Sequence, residues 1–249
     1  MTDLPWATLA GVAMTLVLAY TVYGLSGFGA NIVAMPVLAQ LLPLRIAVPM
    51  LVMFDLVTGA TLLLKHHRNV DWREAMRLLP WLVIGMVAGV TLLSQLSEQL
   101  LLVALGAFIV ALALWNLLRR ASAAPISTRW AVPAGLVGGT VTALYGIGGP
   151  VYTIYLARRL PDKSQLRATI GGLIFGNSLI RLALFTGTGF YAQPGLLALA
   201  AMLLPCALVG QYIGSHLHSH LSAQRIMQVM WWLLILGGSG LIWRGLHVS

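Results

Sequence analysis

Two ionisable residues lie well inside apolar stretches of this chain: Asp55 near the middle of 45–64, and Arg181 about two-thirds along 168–186. On insertion scales a charge at the centre of a bilayer helix costs about 2.5–3.5 kcal/mol, so each needs a partner or a water-filled cavity. The planar guanidinium of Arg181 matches an oxyanion through a fork of N–H donors. Asn177 lies one helical turn before it, on the same face. Asp55 has two readings: it carries a coupling proton, or it is the counter-ion that neutralises Arg181. For both residues the alternative is an interhelical ion pair that never touches a substrate.

Two glycine-rich segments offer a second kind of chemistry. Gly24-Leu25-Ser26-Gly27-Phe28-Gly29-Ala30-Asn31 and Tyr145-Gly146-Ile147-Gly148-Gly149-Pro150 each end one apolar run and open a short one. A break of this kind exposes helix N-termini around Ala30–Asn31 and Gly149–Pro150. Their free N–H groups and the positive end of the helix dipole favour an anion. The candidate substrate-binding positions are therefore Gly27, Gly29, Ala30 and Asn31 in the first break, and Gly146, Gly148 and Gly149 in the second, together with Asn177 and Arg181. The competing reading is tight helix packing, a common use of small residues in membranes. His216-x-His218-x-His220 shares one face only in an extended segment, so neither a metal nor a cofactor is expected.

The elements that must carry these residues follow from composition. Of 249 residues, 59% are hydrophobic and 8% charged, against about 25% charged in soluble domains. There is too little charge to cover a water-facing surface, which excludes a soluble enzyme, a nucleic-acid-binding module and a disordered chain. Apolar runs near twenty residues fit helices that cross a bilayer, and β-barrel strands would be half as long. The net charge of +9 is read as loops facing anionic lipid and not as a nucleic-acid surface. The single Cys206 excludes a disulfide framework. The opening MTDLPW lacks a basic n-region and a cleavage site, so no removable leader is expected.

The apolar stretches run about 5–23, 30–42, 45–64, 76–93, 99–118, 130–145, 150–157, 168–186, 194–215 and 226–243. Basic clusters Lys65–Arg77, Arg119–Arg129 and Arg158–Arg167 are assigned to the cytoplasm, and the stretches 94–98 and 186–193, without Lys or Arg, to the outside. Both ends of 130–158 are basic, so it must cross an even number of times. As one helix it would run roughly 44 Å and exit on the wrong side. A break at 146–150 resolves this, and its second limb, roughly 15 Å long, is a half-helix returning from within the membrane.

A shift of 119 residues places Gly27-Phe28-Gly29 on Gly146-Ile147-Gly148. A shift of 125 places Pro80-x4-Gly85-x3-Gly89 on Pro205-x4-Gly210-x3-Gly214. The chain is therefore expected to be one membrane transporter domain, 1–249, built from a duplication of about 5–118 and 130–244. Basic 65–77 corresponds to bare 186–193, so the repeats should be inverted. Arg45 and Arg244 fall on the outer side and violate the charge rule mildly. The expected fold is an all-α polytopic membrane protein of two inverted repeats, each with a glycine-broken first hairpin. That makes eight main transmembrane helices plus two short half-helices. Inverted repeats with broken helices point to a secondary transporter with its site near the midplane, where the repeats meet.

The paired breaks resemble the sulfite exporter TauE/SafE family. Gly24–Pro36, with Leu-Ser-Gly-Phe-Gly and then Met-Pro-Val-Leu, is similar to the first family signature, and Gly146–Pro150 to the second. Ala30 and Asn31 stand where the family commonly has glycine. The resemblance covers the whole chain and implies a multi-pass permease of the cell membrane. It also implies a cargo of sulfite, an organosulfonate or a related sulfur-containing anion, often moved outward.

Two other classes stay in view. An intramembrane enzyme would need a nucleophile and base, yet no Gly-x-Ser-x-Gly or His-Glu-x-x-His occurs. A membrane subunit or cation transporter would need a cage of carboxylates, and Asp55 is the one carboxylate well inside a helix. No Gly-x4-Gly-Lys appears, so a gradient and not ATP would drive transport. The expected partners are a small anion and the lipid bilayer, with no nucleic acid; the sequence leaves room for a homo-oligomer.

Overall fold

Capping chemistry decides where several helices begin. Asp71 accepts the Glu74 N–H through Oδ1 at 3.0 Å, so α4 starts at Trp72 and runs to Gln95. Asp162 accepts the Gln165 N–H at 2.6 Å, so α8 runs from Lys163 to Gly187. Both are carboxylate caps three residues before the N–H they satisfy. They lengthen the expected apolar stretches 76–93 and 168–186 into the basic segments, so Arg73, Arg77 and Arg167 stand on helices and not in loops.

The computed structural model describes residues 5–26, 29–66, 69–118, 126–217 and 223–247. Among them are ten α-helices and no strand. The others are α1 Trp6–Ser26, α2 Ala30–Leu41, α3 Leu44–His66, α5 Glu98–Leu118, α6 Ala131–Tyr145, α7 Gly149–Arg159, α9 Leu196–Leu217 and α10 Ala223–His247. Both short limbs expected after the breaks are present: α2 has 12 residues and α7 has 11. Six spans among the described residues are long and apolar enough to cross a membrane: Trp6–Leu25, Leu44–Thr61, Trp72–Gln95, Glu98–Trp115, Ser164–Gly187 and Leu196–Leu217. Large apolar side chains such as Ile84 and Val87 on α4, or Leu197, Met202 and Val209 on α9, stand exposed. In water such rows would be an aggregation hazard; in lipid they are the solvated face.

The chain forms two compact units, each drawn from both halves of the sequence. The first comprises Met1–Ala47, Gln95–Ser122 and Pro205–Ser249, and the second Val48–Ser94 and Ala123–Leu204. In the first unit α1 packs on α2, and α5 lies along α10. A Cβ on Gly106 would press on the Gly238 carbonyl oxygen at 2.5 Å. Arg244 and Arg45 act here as helix C-caps. Arg244 Nη1 donates to the Ala39 carbonyl near the end of α2 at 2.7 Å. Arg45 Nη2 reaches the Leu96 carbonyl just past α4 at 3.4 Å. A cation at a helix C-terminus is stabilised by the dipole.

The glycine pairs of α4 and α9 make matched contacts. In the second unit, a Cβ on Gly85 would collide with the Leu136 carbonyl oxygen and the Thr140 N–H of α6, and one on Gly89 with the Thr140 carbonyl oxygen. In the first unit, a Cβ on Gly210 would collide with the Val17 carbonyl oxygen and the Thr21 N–H of α1, and one on Gly214 with the Thr21 carbonyl oxygen. Leu136 and Thr140 are Val17 and Thr21 shifted by 119, and the glycines differ by 125. The hydroxyls of Thr21 and Thr140 also make the same bond, to Val17 O at 2.7 Å and to Leu136 O at 2.9 Å. So α4 of the first half docks on the first helix of the second half, and α9 of the second half docks on the first helix of the first. Small residues permit this backbone-to-backbone approach.

Candidate functional site

In the second unit the break between α6 and α7 is three residues long. Gly146, at φ 75, closes α6 by donating its N–H to the Thr142 carbonyl at 2.8 Å. Only glycine adopts that left-handed backbone without strain. Gly148, at φ −70, precedes α7, and the space beside its Cα is filled by the Gly138 carbonyl oxygen and the Thr142 hydroxyl of α6. Gly149 is different: the position of its absent Cβ is open except for the Tyr152 hydroxyl 3.7 Å away. Pro150 stands in the first turn, where its missing N–H costs nothing.

Behind this turn α8 presents Asn177, Ser178 and Arg181, all buried. Arg181 is 1% exposed, and its Nη1 lies 3.3 Å from Asp55 Oδ2 on α3. Its Nη2 is 3.5 Å from the Val48 carbonyl oxygen, and the guanidinium sits 5.8 Å from the centre of the Phe185 ring. The Nη1–Oδ2 contact is longer than the roughly 2.7–2.9 Å of a charge-assisted hydrogen bond. Tyr152, on α7, is buried with its hydroxyl turned toward Asn177 and within the fields of Asp55 and Arg181. That approach leaves Asn177 unsatisfied: the side chain is 2% exposed, and neither its amide oxygen nor its nitrogen makes a well-formed hydrogen bond. A buried amide left short of well-formed bonds costs up to about 1–3 kcal/mol and has capacity for a polar ligand.

Of the residues singled out from sequence, Gly149, Asn177, Asp55 and Arg181 are gathered here around Tyr152, and Gly148 and Gly146 shape the turn. The first break lies in the other unit. Gly29, at φ 94, precedes α2, and Ala30 and Asn31 in its first turn are buried. Gly27 lies outside the described residues. The two breaks differ in detail: Gly29 is left-handed, whereas Gly148, its counterpart by the 119-residue shift, is in the helical region. His218 and His220 also fall outside the described residues, and no metal-ligand cluster occurs among the described ones.

Sequence reasoning missed Tyr152 and a second polar cluster nearer the basic segments. Glu74, 5% exposed, accepts from Arg159 Nη2 at 2.8 Å, from Tyr155 Oη at 2.7 Å, and from Arg77. Arg159 also donates to the Ile126 carbonyl at 3.3 Å. These bonds tie the last turn of α7 to the first turn of α4. Asp71-x-x-Glu74 was the available signal, because a capping box puts Glu74 on the helix. Nothing in the sequence told which face of α7 would carry Tyr152 and Tyr155. An open cleft of about 440 Å³ beside the start of α8, lined by Asn69, Val70, Asp162, Ser164 and Gln165, contains none of the expected site residues.

Long apolar helices, a helix broken beside buried charge and an unsatisfied amide define a polytopic membrane protein with an internal polar site. Over residues 12–241 the chain matches the sulfite exporter TauE/SafE family. It belongs to that family and is a multi-pass membrane transporter of it. Among curated proteins it is similar to the "Probable inner membrane transporter protein TsaS" of Comamonas testosteroni, with 29% identity over 185 residues, covering 72% of this chain and 77% of that protein. No solved structure matches the chain.

Proposed function

We propose that this protein is a secondary permease of the inner membrane that moves a small sulfur-containing anion, sulfite or an organosulfonate, by alternating access. The observation that carries the proposal is the buried, unsatisfied amide of Asn177 beside the start of α7 and next to Arg181. In this reading the N-terminal turn of α7, from Gly148 and Gly149, offers N–H groups and a positive dipole end to the anion's oxygens. Asn177 and Arg181 supply side-chain donors, and Asp55 either balances Arg181 or carries a coupling proton. Gly29, Ala30 and Asn31 offer the same chemistry at the start of α2. The duplication and its opposite charge pattern support inverted repeats and hence alternating access. The family and the name of the Comamonas relative support the direction of the reading.

Counterflow in proteoliposomes tests it. Vesicles preloaded with sulfite, sulfoacetate, thiosulfate or chloride should each be challenged with a labelled sulfur anion. Saturable uptake driven by a sulfur-containing anion and not by chloride is the expected result. Uptake that no sulfur anion stimulates above protein-free vesicles overturns the proposal.

A further inference from the structure

The charges around Tyr152 limit what the site can hold. The buried Asp55 and Arg181 beside it carry opposite charges and are already 3.3 Å apart. They contribute no net charge. The remaining donors are neutral: the Asn177 amide, the Tyr152 hydroxyl and the first turn of α7. A helix N-terminus counts as roughly half a positive charge. One negative charge is largely offset by such a set through its dipole and hydrogen bonds, whereas a second would be buried without compensation, and burying an uncompensated charge is costly. The Tyr152 hydroxyl also stands 3.7 Å from the Cβ position of Gly149. An oxygen held beside Gly149 would lie within reach of the phenol.

Resting on the permease reading above, we propose that this site takes a monovalent sulfur oxyanion in preference to a divalent one, and that Tyr152 is a specificity-determining residue that donates its hydroxyl hydrogen to the bound anion. Asp55 then has a second consequence. By cancelling Arg181 it excludes dianions, so its neutralisation should admit them.

The test is equilibrium binding to the purified full-length protein in detergent, at fixed ionic strength. Methanesulfonate is the monovalent probe, and sulfate and thiosulfate are the divalent ones. The wild type should bind methanesulfonate at least about tenfold more tightly than either dianion. Tyr152→Phe keeps the ring and removes one donor. It should weaken methanesulfonate binding about tenfold, the scale of one hydrogen bond to a charged group, while the ligand-free protein unfolds at the wild-type temperature. Asp55→Asn should shift the preference toward the dianions, and thiosulfate should raise its unfolding temperature. A wild type that prefers thiosulfate or sulfate overturns the proposal, and so does unchanged methanesulfonate affinity in Tyr152→Phe. These two arms decide the matter even where Asp55→Asn does not fold. Tight, saturable dianion binding would leave the permease reading standing and remove only the monovalent preference. Absence of binding and flux for every sulfur anion would remove both.

Discussion

Removing either member of the Asp55–Arg181 pair should cost far more than removing both. Their side chains are 8% and 2% exposed and meet at 3.3 Å. At an effective dielectric constant of about 20, that distance gives an attraction of roughly 5 kcal/mol. Deleting one partner leaves a lone buried charge, a loss of about 3–5 kcal/mol in comparable pairs. The length of the Nη1–Oδ2 contact argues for the lower end, so Asp55→Asn and Arg181→Gln should each lose about 3 kcal/mol of stability. The double variant buries two neutral polar groups and should lie within about 1 kcal/mol of wild type, a coupling of roughly 5 kcal/mol that matches the Coulomb figure. Denaturant unfolding in one detergent gives all four corners of the cycle. Single variants within about 1 kcal/mol of wild type, with no coupling, would refute the reasoning. The same preparations report function per folded molecule. If Arg181 holds the anion, the restored double variant still lacks counterflow. Wild-type flux in the double variant would make the pair structural and displace the proposed site from α8.

Two further outcomes are expected. Gly139→Ala and Gly214→Ala put a methyl group onto the backbone carbonyls of Leu82 and Thr21, whereas Gly176 has nothing within 4 Å of its Cβ position. The first two should lose about 1–3 kcal/mol by overpacking and Gly176→Ala should lose none; equal unfolding temperatures in all three would contradict the packing account. Single cysteines introduced at positions 69, 124 and 162, in a background without Cys206, should label from the cytoplasm and one at 190 from outside. Labelling of 124 and 162 from opposite sides would remove the hairpin between them and, with it, the inverted repeat.

Much of the helical order was legible because membrane helices announce themselves twice, by apolar length and by the basic residues between them. The short limb 150–157 emerged from a mismatch between charge and length and the limb 30–42 from a matching glycine break, and they correspond closely to α7 and α2. Helix starts were less legible. The apolar pattern fades in the last turn before water, and there Asp71 and Asp162 set the boundary. The 125-residue shift that pairs Gly85/Gly89 with Gly210/Gly214 was visible in the sequence, but the helices these glycines contact were not. Sequence shift relates residues within equivalent helices and is silent about which helix a small-residue face will meet. The docking of α4 on α6 and of α9 on α1 is a property of the folded structure alone. In the site, Asp55, Asn177 and Arg181 stood out because polar groups are rare in these runs. Tyr152 did not, since a tyrosine in an apolar helix end reads equally as an interfacial aromatic.

The glycine breaks show why site and packing were hard to separate from sequence. Both readings need a residue without a side chain, and at the second break the two needs fall on adjacent residues. Gly148 is consumed by packing: the Gly138 carbonyl and the Thr142 hydroxyl occupy the space a Cβ would take. Thr142 is itself fixed, with its hydroxyl bonded to Gly138 O at 2.6 Å and its carbonyl to the Gly146 N–H. The turn is therefore clamped to α6, and the start of α7 is held in place. Gly149, one residue on, has no such neighbour and faces Tyr152. A preorganised N-terminus lowers the ordering cost of binding, because its donors are already aimed before the anion arrives. In the proposed site, packing at Gly148 and anion recognition at Gly149 would be successive parts of one device. The tight glycine fixes the backbone so that the open one can present it.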